Sequence, residues 1–88
     1  MVEIKLIMTN KLGLHARPAA EFTKLAARFK SKITLEGNGK TADAKSLLMI
    51  LTMGIRQGGE LTVKADGPDE IESIEALKNL VEGWLKEG

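Results

Sequence analysis

The spacing of apolar residues changes several times along this chain, and each change narrows the fold. Val2, Ile4, Leu6 and Met8 alternate with Glu3, Lys5 and Thr9, the period of a half-buried strand expected to end near Asn10. From Ala16 to Phe29 the period becomes helical: Phe22, Leu25, Ala26 and Phe29 fall on one side, Glu21, Lys24 and Arg28 on the other. Ile33 and Leu35 mark a second strand. Gly37-Asn38-Gly39 is a tight-turn signal leading into a return strand over Lys40 to Asp43. Ser46 precedes a short apolar helix that stops at Gly54, with serine as N-cap and glycine as terminator. Leu61, Val63 and Ala65 alternate again. A long helix begins at Asp69, whose spacing from Glu72 predicts a capping box. Ile71, Ile74, Leu77, Leu80, Val81, Trp84 and Leu85 are its expected buried stripe.

The order is β-α-β-β-α-β-α. Because the strands alternate instead of being apolar throughout, one face of their sheet must meet water. The helices therefore belong on the other face of an antiparallel sheet, giving a two-layer α+β sandwich. The 88 residues suffice for one domain, 1–88, and one core.

Composition removes whole classes of function. There is no cysteine, which excludes thiolate metal sites and thiol catalysis, and a single histidine cannot build a polyhistidine metal site. A net charge of +1 gives no long-range attraction to nucleic acid, and one Trp with two Phe gives no base-stacking platform. The opening stretch MVEIKLIMTN lacks a cleavable hydrophobic core, and the longest apolar run, LLMIL, is too short to span a bilayer. A cytoplasmic protein that needs neither cofactor nor metal and does not insert into membranes is expected.

The one histidine stands in Leu12-Gly13-Leu14-His15-Ala16-Arg17-Pro18. Proline has a fixed φ and no amide hydrogen, so Pro18 fits the first turn of a helix and puts His15 and Ala16 at or just before its start. The first amides of a helix have no internal partner and carry partial positive charge, which suits a phosphoryl group. The same field and the neighbouring Arg17 disfavour imidazolium and keep the ring nucleophilic. The dipole contributes about 0.3–1 kcal/mol, less than one pKa unit. An arginine serving such a site should be adjustable if the phosphoryl group is to leave again.

NKLGLHARPAAEF together with GKTADAKSLL resembles the HPr family, the histidine-containing phosphocarriers of the bacterial phosphoenolpyruvate-dependent sugar phosphotransferase system. The resemblance runs over essentially the whole chain. It implies an open-faced β-sandwich with a four-stranded antiparallel sheet and three helices on one face. It makes His15 the phosphoryl acceptor, on its δ ring nitrogen, with Arg17 as the assisting cation and Ala16 and Arg17 binding the phosphate. The implied partners are enzyme I as donor and the IIA components of sugar permeases as acceptors, served by a monomeric carrier that is not itself a turnover enzyme.

Two further roles follow from the resemblance. DAKS looks like the regulatory serine site on which an ATP-dependent HPr kinase/phosphorylase acts, which would make Ser46 a second phosphorylation site and bring in a transcriptional regulator. A phosphoserine at a helix N-terminus is electrostatically favoured. In the helix that follows, Ile50 and Met53 are the expected core residues, leaving Leu47, Leu48 and Leu51 partly exposed; the family's corresponding helix docks partners. Arg17, Ala20, Lys24 and Lys45 complete the expected docking surface, the cations forming a rim for acidic partners. Met49 fills a slot that is more often glycine or polar in the family. The alternatives are a carrier in a nitrogen-linked phosphotransfer chain and a mainly regulatory module read through its phosphoserine.

Overall fold

A computed structural model of the chain describes residues 1–8 and 16–83. Seven elements follow one another: β1 (Val2–Ile7), α1 (Ala16–Ala26), β2 (Lys32–Gly37), β3 (Lys40–Asp43), α2 (Leu47–Leu51), β4 (Glu60–Asp66) and α3 (Glu70–Gly83). The four strands form one antiparallel sheet in the order β1-β4-β2-β3. The α+β open-faced sandwich read from the sequence is the fold of the chain.

Register makes the two faces chemically distinct. Leu6 pairs with Leu61, Ile4 with Val63, and Leu35 with both Val63 and Ala42, so these side chains share the helix-covered face. Phe22 and Ala19 of α1, Ile50 of α2 and Leu77 of α3 are buried with them in one core. The alternate residues Glu3, Lys5, Lys32, Thr34, Glu36, Thr62 and Lys64 lie on the bare face. There Lys64 Nζ meets Glu36 Oε2 at 2.9 Å across the β4–β2 pair. The hairpin between β2 and β3 turns on Asn38 (φ 52°) and Gly39 (φ 75°), the two left-handed residues that a type I′ turn requires. Asn38 Nδ2 also donates to the Met53 carbonyl at 3.0 Å, fastening the hairpin to the segment after α2.

Four details differ from the sequence expectation, besides α2 closing on Thr52 as its C-cap, two residues ahead of Gly54. First, α1 ends at Ala26 rather than Phe29. Its last turn tightens, with Arg28 N donating to Leu25 O and Phe29 N to Ala26 O, and Phe29 still packs on the core. Second, β1 ends at Ile7, although Met8 exchanges backbone hydrogen bonds with Gly58 and Gly59; Asn10 lies outside the described residues. Third, Ile71 is 64% exposed instead of buried. It precedes Leu77 by six residues and so sits about 120° around the helix, beyond the stripe that Ser73, Ile74, Leu77, Leu80 and Val81 form. Trp84 and Leu85 lie outside the described residues.

Fourth, Asp69 and Glu72 do not make the capping box. The Asp69 carboxylate turns across to the loop after α1, where Lys30 N donates to Oδ2 at 2.8 Å and Ser31 N to Oδ1 at 2.9 Å; the Ser31 hydroxyl donates to Oδ1 as well. Three donors outcompete the one amide that a cap would offer. The glutamate that reaches back is Glu70, whose Oε1 accepts from Gly67 N at 3.3 Å. Gly67 is needed there because a Cβ would lie 2.6 Å from the Ser31 Cα. Ser31 is itself fully buried, so this junction between α1, β2 and α3 is closely packed.

Candidate functional site

The sequence places the only histidine immediately before Ala16, and Ala16 opens α1. His15 itself lies outside the described residues, as do Thr9 to Leu14. Pro18 is the third residue of the helix, within the first turn, where its missing amide hydrogen costs no helical bond. That turn reads Ala16-Arg17-Pro18-Ala19 and carries no acidic side chain, so nothing in it neutralises the positive end of the helix.

Arg17 is held loosely. Its Nε stands 3.8 Å from Glu21 Oε1 one turn along, and the arginine side chain is 76% exposed. A pair so exposed contributes little, and the guanidinium can leave it for a better anion at small cost. Arg17, Ala20 and Lys24 are spaced i, i+3 and i+7, which puts them on one face of α1, opposite the buried Ala19, Phe22 and Ala26.

The second helix packs against the first. Ser46 is its N-cap, in extended conformation (φ −111°, ψ 106°), and its Oγ accepts from Met49 N at 3.3 Å. Ile50 and Met53 are buried. Leu48 points most directly outward at 75% exposure, with Leu47 and Leu51 exposed on one flank and Met49 on the other. Four large apolar side chains on a five-residue helix thus face solvent together, a concentration that usually marks a contact surface.

The expected basic rim is only partly available. Lys24 is exposed, but Lys45 Nζ donates to the Phe29 carbonyl at 2.7 Å, where a cation satisfies the C-terminal turn of α1. Lys45 therefore ties the α1 exit to the α2 entry. Sequence reasoning left Met49 out of the docking surface; the available signal was the brevity of α2, since five residues with one inward side chain cannot hide their neighbours.

Comparison with known proteins bears directly on this arrangement. The family model PTS-HPr, described as the PTS HPr component phosphorylation site, matches residues 2–83. Phosphocarrier protein HPr of Haemophilus influenzae is 46% identical, covering 90% of this chain and 91% of the relative. Phosphocarrier protein HPr of Mycoplasma capricolum is 42% identical over 89% of this chain and 88% of its own length. The crystal structure of HPr-C-His from Thermoanaerobacter tengcongensis superposes with a TM-score of 0.94 at 42% identity, covering 100% of this chain and 99% of that one. Fold, element order and sequence agree over nearly the full length, and on that footing the chain belongs to the PTS-HPr family, phosphoryl carriers of the phosphotransferase system rather than self-sufficient enzymes.

Proposed function

We propose that His15 is the residue on which this carrier holds its cargo. The observation that carries the proposal is the start of α1 at Ala16, which puts a helix N-terminus with no acidic residue in its first turn directly after the histidine in the chain. The lone pair of the His15 δ nitrogen attacks the phosphorus while the bond between phosphorus and the donor breaks; the same exchange, run against an acceptor, releases the group. Amides of the first turn, beginning at Ala16, and the Arg17 guanidinium balance the phosphoryl charge. Because Arg17 is exposed and weakly paired, it can follow the group in and let it go.

The donor is phosphorylated enzyme I, and the acceptors are IIA components of sugar permeases. They dock on the apolar face of Leu47, Leu48 and Leu51 beside Arg17, Ala20 and Lys24, with Lys45 at the junction of the two helices. Ser46 is the regulatory phosphorylation site, modified by an HPr kinase/phosphorylase, and new charge there alters docking without unfolding a helix whose N-terminus favours anions. The carrier works as a monomer in the cytoplasm; among the described residues no helix is long and apolar enough to cross a membrane.

Incubation of the chain with enzyme I and phosphoenolpyruvate should add one acid-labile phosphate, and His15→Ala should add none. Full labelling of that variant would overturn the assignment. Incubation with the serine kinase and ATP, followed by mass spectrometry, should place a second phosphate on Ser46; an unmodified Ser46 removes the regulatory role.

A further inference from the structure

The four methionines of the chain occupy two kinds of environment. Met8 and Met53 are sealed in the core, at 1% and 0% exposure, whereas Met49 is 44% exposed on the apolar face of α2 and Met1 is exposed, its ammonium beside Glu70. A thioether reacts with a peroxide only where the oxidant can reach the sulfur. Of the methionines within the α2 segment, Met49 alone meets that condition. Its position gives the reaction a consequence: the side chain flanks Leu48, and its backbone is shared between the Ser46 cap and the Thr52 stop, with Thr52 Oγ1 donating to Met49 O at 2.7 Å.

We propose that Met49 is an oxidation site through which peroxide turns down partner docking, an inference that rests on reading the α2 face as the docking surface. The sulfur lone pair attacks one peroxide oxygen and the O–O bond breaks. A sulfoxide forms, and the other oxygen leaves as water after proton transfer; sulfur is oxidised by two electrons and the peroxide reduced by two. The product is a polar, chiral group with a strong acceptor oxygen where an apolar side chain stood. In the unbound chain this oxygen is solvated, so the fold persists. Against a partner it must be desolvated at a surface made of leucines, which weakens association. A methionine sulfoxide reductase, drawing two electrons from thiols, reverses the change.

The test has two readouts. In the first, the chain alone is treated with hydrogen peroxide, and oxidation of each methionine is followed by peptide mass spectrometry. Met49 should oxidise at least about tenfold faster than Met8 or Met53, as expected for a solvated against a buried sulfur. Equal rates at all three would overturn the proposal. In the second, phosphate transfer from enzyme I is compared before and after peroxide, each variant against its own untreated sample. Transfer to the parent chain at limiting carrier concentration should slow about five- to tenfold, the effect of impairing one moderately important interface residue. Treatment with the reductase should restore it, and Met49→Leu should keep its rate although Met1 still oxidises. A loss in Met49→Leu as large as in the parent chain would overturn the proposal. Absence of transfer to the untreated parent would instead sink the His15 assignment, and the peptide measurement would still decide whether Met49 is the oxidation site.

Discussion

The N-termini of α1 and α3 are built from opposite chemistry. The α3 terminus is surrounded by carboxylates: Asp69 precedes it, and Glu70 and Glu72 lie in its first turn. Each of the first two has a structural task, Asp69 joining the helix to the Lys30–Ser31 loop and Glu70 accepting from Gly67 and from the Met1 ammonium at 3.0 Å. The first turn of α1 has no acidic residue and carries an arginine instead. The macrodipole is the same in kind at both ends, so the difference lies in what the chain supplies to meet it. Where side chains meet it, the helix end holds the fold together. Where the first turn supplies none, the proposed phosphoryl group would take their place.

The sharpest way to break this contrast is to give α1 what α3 has. Ala16 is exposed, so Ala16→Asp should leave the fold intact, yet its carboxylate would occupy the amides proposed to receive the phosphoryl group. Phosphate uptake from enzyme I should fall at least about tenfold, the equivalent of about 1.4 kcal/mol of repulsion. Uptake at the parent rate would show that the α1 terminus does not hold the phosphate.

The reverse change removes what α3 has. Asp69→Ala leaves two backbone amides and the buried Ser31 hydroxyl without their acceptor, and should lower Tm by several degrees while phosphate uptake is retained. Acid sharpens the point. Hydrogen bonds from Ser31 and Lys30 lower the Asp69 pKa from 3.8 to about 2. A depressed pKa means that the stabilisation is complete above the unfolded value and lost as pH falls through the folded one. The stability difference between the parent and Asp69→Asn should therefore be constant above about pH 5 and shrink toward pH 2. A difference independent of pH over that interval would remove the carboxylate from the argument.

The smallest effect is expected at the third helix end. Ser46→Ala removes a cap whose bond to Met49 N is long, at 3.3 Å, and should cost about 0.5–1 kcal/mol in denaturant unfolding. A loss above about 2 kcal/mol would mean that Ser46 does more for the fold than cap α2.

What could be read from the sequence was what repeats or acts locally. The alternation of Val2, Ile4 and Leu6 sorted the faces of the sheet, Asn38-Gly39 fixed a hairpin because few residues tolerate two positive φ angles, and Ser46 announced α2. The start of α1 was legible for a similar reason, since Pro18 constrains its own neighbourhood. Contacts that join distant segments left no such trace. Asp69 and Ser31 are 38 residues apart, and no periodicity reports that one carboxylate will choose a remote loop over its own helix. Lys45 reads from the sequence as a rim cation, and nothing local reports that it meets the Phe29 carbonyl. Ile71 was misassigned because its i+3 spacing from Ile74 suits a helix, although that step leads away from the stripe centred on Leu77.

The strand order carries a consequence for synthesis. β4 lies between β1 and β2, so β1 has no neighbour to pair with until residues 60–66 have left the ribosome, and β2 has only the short β3. A nascent chain cannot close its sheet piecemeal; helices and one hairpin can flicker in and out, but assembly waits for a late segment. The carrier should therefore emerge from translation as an open chain and gain its shape in a single late step.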